Sequence, residues 1–297
     1  MSNKISIITS CYNIENYIKA TLRSVTSQQY PNLEYIVLDG ASTDGTLNII
    51  REYFDKISTV ISEPDNGQYH AIQKGFDLSN GDIMAWLNAD DTYLPWTFSV
   101  VAEVFQKFPE VDWIIGLPTF LNKKGQCIRV SDIAASYPRD FIKNGWYRGH
   151  LAGYLQQESM FWRRSLWGKS GGLDLKLNYA ADFKLWTEFA KHAELTAVSV
   201  PLSAFRYRPD EQKSSTGLKY YENEVSNVCK NLPSPPLIWD KISSLGIRSR
   251  SLSRLAIWKK SPVVAYSDTK NSWVLKNNRR PVSRACFSGL MLESSLY

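Results

Sequence analysis

Two adjacent carboxylates, Asp90 and Asp91, end a hydrophobic run, Ile83-Met84-Ala85-Trp86-Leu87, that reads as a buried strand. In open α/β sheets ligands sit outside the carboxyl ends of strands, so both acids belong at the mouth of a site. Like charges side by side repel. A hard divalent cation bound through oxygen is one reason to keep them together; a turn that caps the helix beginning near Pro95 is the other. Two more strand ends carry polar groups, Thr9 at the end of Ile5–Ser10 and Asp39 after Leu33–Leu38. In one parallel sheet all three ends reach the same edge. Asp39 opens Asp39-Gly40-Ala41-Ser42-Thr43-Asp44-Gly45-Thr46, a glycine-rich turn into a helix N-terminus. Such a turn suits cradling a phosphate, closing a tight connection, or presenting a carboxylate to a base N–H. Asn66-Gly67 marks another turn, and His70 follows near a helix start, where a partly buried polar role competes with a phosphate or acceptor contact. Asp182 falls in the first turn of a helix, a position the helix dipole alone favours for an acid.

The elements that must position these residues alternate in the first half of the chain. Strand patterns at Ile5–Ser10, Leu33–Leu38, Ile57–Ile61 and Ile83–Leu87 are separated by helical patterns. The helices are expected from Glu15 to Gln28, through Leu47, Ile50 and Phe54, from Gln68 to Leu78, and from Pro95 to Lys107. This order predicts an α/β fold with a mostly parallel central sheet flanked by helices. From about Asp112 the rhythm changes. Strand-like pieces at Trp113–Leu117, Gln126–Val130 and Ser159–Trp162 precede a helix at Ala180–His192 and a strand-like stretch at Leu195–Tyr207. The run Asn231-Leu232-Pro233-Ser234-Pro235-Pro236 is the best boundary, dividing residues 1–230 from an extension over 231–297.

The net charge of +6 is unevenly spread. From Asn231 to Tyr297 there are eleven Lys and Arg against three Asp and Glu, so the first 230 residues are slightly acidic. A nucleic-acid partner is therefore not expected for the main domain. Ile247 to Lys260 reads as a basic amphipathic helix that either rests on an anionic membrane or packs on the domain. No apolar run approaches the length of a bilayer span, and no leader pattern opens the chain. The four cysteines are widely spaced and lack metal-ligand spacing, as expected of reduced thiols in a cytoplasmic protein.

Taken in order, these motifs resemble the family-2 inverting glycosyltransferases of GT-A fold, in the bacterial branch that builds surface polysaccharides. The resemblance is carried by Ile7-Ile8-Thr9-Ser10-Cys11-Tyr12-Asn13, Asp39 to Thr46, Ser62 to Gly75, Gly81 to Asp91, and Gly171-Gly172-Leu173-Asp174 to Trp186. It implies a Rossmann-like donor half over residues 1–111 and an acceptor half over 112–230. It implies a nucleotide-sugar donor, with UDP-sugars favoured, held by Thr9, Asp39, Gly67 and Asp90. Asp90 and Asp91 match a DxD-like metal motif, with Asp91 as the direct ligand of Mn²⁺ or Mg²⁺. Asp182 matches the catalytic base, and Gln157, Glu158 and His70 the acceptor side. The acceptor is then a saccharide or lipid-linked saccharide, reached from the cytoplasm or the inner membrane face. Departures from the pattern are Gly40, where many members carry Asp, together with His70 and Gln73. The chemistry agrees: a departing diphosphate needs electrostatic stabilisation, and an attacking hydroxyl needs one positioned carboxylate. Two other readings are a nucleotidyltransferase, disfavoured because no basic glycine-rich loop follows the first strand, and a nucleotide-sugar-binding protein without transfer activity.

Overall fold

The structure, a computed structural model, describes residues 3–148, 152–235 and 258–282. Its first half builds strand-helix pairs: β1 (Ile5–Cys11) with α1 (Glu15–Thr26), β2 (Leu33–Asp39) with α2 (Thr46–Arg51), and β3 (Thr59–Ser62) with α3 (Gln68–Leu78). β4 (Ile83–Trp86) then leads through the short β5 (Thr92–Tyr93) into α4 (Thr97–Lys107). β4, β1, β2 and β3 are parallel neighbours, so their carboxyl ends share one edge. β4 is buried at every position, as expected of a strand covered on both faces.

The second half closes around that edge. It contains β6 (Trp113–Ile115), β7 (Thr119–Leu121), β8 (Cys127–Val130), α5 (Arg139–Lys143), β9 (Met160–Arg163), α6 (Arg164–Ser170) and α7 (Ala181–His192). β10 (Leu195–Val198), β11 (Ser203–Arg206), α8 (Lys213–Thr216), α9 (Leu218–Cys229), β12 (Trp258–Ser267) and β13 (Ser272–Pro281) follow. Nine strands form the main sheet in the order β13-β12-β10-β6-β9-β4-β1-β2-β3, in which β9 runs antiparallel to both β4 and β6. A second sheet, β5-β11-β7-β8, lies beyond the end of β4.

Three local expectations need correcting. The helix expected through Phe54 stops at Arg51, and Phe54 opens a 3-10 turn with 51% of its surface exposed. Leu195–Tyr207 is two strands in two sheets, separated by a step containing Pro201, which has no N–H to continue a ladder. The basic helix expected over 247–260 lies mostly outside the described residues, and its last three residues, Trp258 to Lys260, begin a strand instead. That strand, β12, pairs in parallel with β10 and antiparallel with β13, so the main sheet continues past residue 230. The Trp273 indole donates to Glu103 Oε2 at 2.7 Å, tying β13 to α4. Among the described residues no helix is long and apolar enough to cross a membrane.

Tryptophans hold the second half against the first. Trp86 of β4 stacks on Trp186 of α7, with centroids 5.7 Å apart and planes within 9°, and Trp113 and Trp162 pack on the same ring. Each such ring removes roughly 150–250 Å² from water, a gross gain of about 4–6 kcal/mol as an upper bound. The stack fixes α7, and with it Asp182, relative to the end of β4. In the first half, Gly75 lets α3 close on the sheet. A Cβ there would stand 2.5 Å from Ile8 Cγ2 and 2.8 Å from Leu38 Cδ1.

Candidate active site

A cavity of about 810 Å³ opens at the shared carboxyl edge, lined among others by Tyr12, Asp90, Asp91, Glu158, Asp182 and Trp186. On one flank, the chain leaving β4 turns sharply as the Asp91 N–H bonds the Asn88 carbonyl. The Thr21 hydroxyl of α1, 2.8 Å from both the Ala89 and Asp91 carbonyls, pins that turn. The two acids then diverge. Asp90 keeps a carboxylate at the cavity, ion-paired with Arg208, and its carbonyl accepts from Arg206 Nε at 2.8 Å. Asp91 is 1% exposed. Its Oδ1 accepts the backbone N–H of Arg206 at 2.8 Å, and its Oδ2 accepts the Asn88 amide at 3.3 Å. Burial, then the charges of Asp90 and Glu158, push Asp91 well above the ordinary carboxylate value. The carboxylate expected to be the direct metal ligand, Asp91, is thus the more deeply buried of the pair. Its oxygens anchor β11 to the turn, and Asp90, with 18% of its side chain exposed, is the more open of the two acids lining the cavity.

Asp182, which lines the same cavity, sits in the first turn of α7. Its Oδ1 accepts the Phe183 N–H at 2.8 Å and lies 3.1 Å from the Tyr69 hydroxyl, which also reaches the Tyr179 carbonyl at 3.2 Å. Burial raises the Asp182 carboxyl above its ordinary value, against the pull of the Phe183 N–H, the Tyr69 hydroxyl and the Lys213 ammonium. A carboxylate that is partly desolvated but still hydrogen-bonded suits a general base working near neutral pH.

Not every expected residue reaches this cavity. Gly67 does, at the start of α3 with φ of +109°, a conformation that favours glycine. Gln157 and Glu158 do as well, in a 3-10 turn leading into β9, where Gln157 Nε2 donates to the Trp86 carbonyl at 2.7 Å. Thr9 does not. It is fully buried, and its Oγ1 accepts from the Tyr35 hydroxyl at 3.1 Å inside the core. Asp39 is 2% exposed and spent on closing its own turn: its oxygens accept the Ser42 N–H and hydroxyl and the Ser62 hydroxyl. Asp44 likewise knits the loop together, accepting the N–H groups of Glu15 and Thr46. Of the options for the Asp39–Thr46 turn, closure of the connection is what the hydrogen bonds describe. His70 lies in the first turn of α3, half-buried, and is not among the cavity residues.

Several cavity residues escaped the sequence reading. Tyr69, Gln156, Arg208 and Lys213 line it, and Arg206 backs the acid turn. Arg206 and Arg208 alternate at the end of β11, and the Arg208 guanidinium lies 4.4 Å from the centre of the Tyr17 ring. Two arginines leaving a buried strand were the available hint. Tyr12, 62% exposed at the end of β1, and Asp65 complete the outer rim, with Asp65 Oδ2 3.0 Å from where a Cβ on Gly40 would stand.

The donor chemistry at Asp90 is that of a hard cation: oxygen only, from a carboxylate whose charge, after burial, helps to raise both Asp91 and Glu158. Among the described residues no three His, Cys, Asp or Glu side chains are grouped to hold a metal ion alone. The residues fit an ion that takes one or two protein oxygens and fills its shell with substrate phosphate and water.

The Glycosyl transferase family 2 model matches residues 6–168 of this chain, more than half of it. An uncharacterized glycosyltransferase of Rickettsia typhi is 26% identical over 260 residues, covering 86% of this chain and 80% of that protein. The putative teichuronic acid biosynthesis glycosyltransferase TuaG of Bacillus subtilis is 36% identical over 92 residues, 30% of this chain and 36% of that protein. The chain thus spans about a third of the Bacillus relative's length, and the same holds for a Nostoc relative. Among solved structures, S. aureus TarS 1-349 in complex with UDP-GlcNAc superposes with a TM-score of 0.60 at 19% identity, over 82% of this chain and 71% of that one. That likeness identifies the fold as GT-A.

Proposed function

This chain belongs to glycosyltransferase family 2, and from that premise we propose that it transfers a sugar from a nucleoside-diphosphate sugar to a saccharide or lipid-linked saccharide hydroxyl, with inversion, in cell-surface polysaccharide synthesis. One observation carries the reading. Asp90 and Asp182 line one cavity, the first just beyond the end of β4 and the second at the start of α7. Transfer with inversion needs two such groups in one site, one to stabilise the leaving group and one to accept the proton of the attacking hydroxyl.

Asp182 takes the proton of the acceptor hydroxyl as that oxygen attacks. Tyr69 orients the carboxylate and Lys213 balances its charge. Asp90 is the residue that would hold Mn²⁺ or Mg²⁺, which when bound neutralises the departing diphosphate. Arg208, already paired with Asp90, supplies positive charge to the same oxygens. Tyr12 offers an exposed ring for base stacking, and the Asp65 carboxylate beside it suits an imino N–H. A UDP-sugar is favoured because TarS was solved with UDP-GlcNAc. Surface-polysaccharide synthesis is favoured by the relation to TuaG.

The test is nucleotide release from a panel of nucleotide sugars, with Mn²⁺ or with chelator, in the presence of saccharide acceptors. Expected are metal-dependent release from one donor, a product of inverted anomeric configuration by NMR, and loss of both in Asp182→Asn. A retained configuration would overturn the mechanism, and no release from any donor would overturn the activity.

A further inference from the structure

The three residues Gln156, Gln157 and Glu158 are 5%, 7% and 3% exposed, and all line the cavity. Four of their polar atoms, Gln156 Nε2 and Oε1, Gln157 Oε1 and Glu158 Oε1, are buried without a hydrogen-bond partner. Trp186 Nε1, on a ring that also lines the cavity, is in the same position. Buried polar atoms are almost always satisfied by protein, water or ligand, so these five must take their partners from whatever fills the cavity. The rest of the turn is satisfied: Gln157 Nε2 donates to the Trp86 carbonyl, and Ser159 Oγ accepts the Gly116 N–H at 3.0 Å. The turn is thus held rigidly with its remaining polar atoms unmet.

We infer that the Gln156-Gln157-Glu158 turn, with Trp186, reads the hydroxyl groups of the donor sugar. This inference rests on the glycosyl-transfer reading and names the residues that choose its donor. The unmet atoms mix donors, an amide N–H₂ and an indole N–H, with carbonyl and carboxyl acceptors. Only a ligand that both donates and accepts at several points satisfies such a set, and sugar hydroxyls do both. A phosphate only accepts, so it leaves the carbonyl oxygens unmet; a metal ion leaves the N–H groups unmet. The donor rather than the acceptor is indicated because the turn is bolted to Trp86, the last residue of β4, and lines the same cavity as Asp90. A sugar attached to a diphosphate at Asp90 lies within this neighbourhood.

The experiment uses the full chain and two variants, Gln156→Leu and Glu158→Gln. Isothermal titration with Mn²⁺ present compares UDP and GDP with UDP-GlcNAc, UDP-glucose, UDP-galactose and GDP-mannose. Thermal unfolding of each unliganded protein is measured alongside. Wild type is expected to bind one sugar nucleotide at least tenfold more tightly than its bare nucleotide. Gln156→Leu removes two unpartnered atoms at similar volume, so its unliganded melting temperature should hold or rise. It should nevertheless lose the sugar-dependent tenfold while keeping bare-nucleotide affinity within about twofold. Glu158→Gln preserves shape and should cut only the sugar-dependent part, or change which sugar is preferred; it carries the test if the leucine variant melts early. Variants that keep the full sugar-dependent gain, or a wild type that binds nucleotide but gains nothing from any sugar, overturn the inference. A wild type that binds neither nucleotides nor nucleotide sugars overturns the glycosyl-transfer reading itself.

Discussion

The Tyr69 hydroxyl lies 3.1 Å from Asp182 Oδ1, joining the first turn of α3 to the first turn of α7 across 113 residues of chain. One partner belongs to the first half of the chain, the other to the second. Burial, then the Asp182 charge, holds the Tyr69 phenol well above its ordinary pKa, so it stays protonated and remains a donor. Lys213 Nζ stands 5.7 Å from the Tyr69 ring centre and 4.7 Å from that of Tyr179. The candidate base is therefore set by contacts that exist only when both halves have folded.

Tyr69→Phe removes a hydrogen bond that favours the charged form of Asp182, so the Asp182 pKa should rise further. A base must be deprotonated to work, and the acid limb of the kcat/KM profile should move to higher pH. Donor affinity should stay near wild type. An unmoved acid limb would show that Tyr69 does not tune this carboxylate.

Asp182→Asn should lower transfer by about two to four orders of magnitude, the usual contribution of a positioned base. Its stability profile carries a definite sign. A carboxyl whose folded pKa is raised contributes stability that is complete below the unfolded value of about 3.9 and is lost as pH rises through the folded value. At pH 7 to 8 the Asn variant should therefore unfold no earlier than wild type, and wild type should gain on it as the pH is lowered. Urea melts at both ends of that range, with rates on the same samples, separate a base from a helix cap.

Asp90 and Asp91 should respond differently. Asp91→Ala leaves the buried Arg206 N–H without its acceptor, at a cost of about 1–3 kcal/mol. Asp91→Asn keeps an oxygen there and relieves repulsion from Asp90 and Glu158, so it should be as stable as wild type or more so. Asp90→Ala strips the nearly buried Arg208 of its partner, so it should lower the melting temperature as well as abolish metal-dependent nucleotide binding. Metal binding that survives in Asp90→Ala but vanishes in Asp91→Asn would restore Asp91 as the ligand.

Arg208 competes with any cation for Asp90. The pair is nearly buried, with side chains 8% and 18% exposed, so screening by solvent is limited. Arg208→Gln should tighten Mn²⁺ binding in the absence of nucleotide and weaken binding of UDP or GDP. Titration of the metal alone, then of the nucleotide alone, checks both halves of the statement. Weaker Mn²⁺ binding by the variant would mean that the arginine supports the metal site instead of competing with it.

The amino-acid sequence by itself determined the strand-helix order of the first half, the shared carboxyl edge and the presence of acids at it. Period and punctuation are local: an uninterrupted apolar run ending in Asn88-Ala89-Asp90-Asp91 reads the same in any fold that buries it. Which way each acid points is not local. Asp91 turns inward because β11, from more than a hundred residues away, places the Arg206 N–H against it, and Asp39 turns inward because Ser42 and Ser62 take its oxygens. The antiparallel β9 carries the Gln156–Glu158 turn to the end of β4, and the Trp86–Trp186 stack packs α7, which carries Asp182, against β4. Adjacent residues of the same type are equivalent in a sequence. Burial and long-range hydrogen bonds engage both oxygens of one and leave the other more open at the cavity, and only the tertiary structure makes that choice.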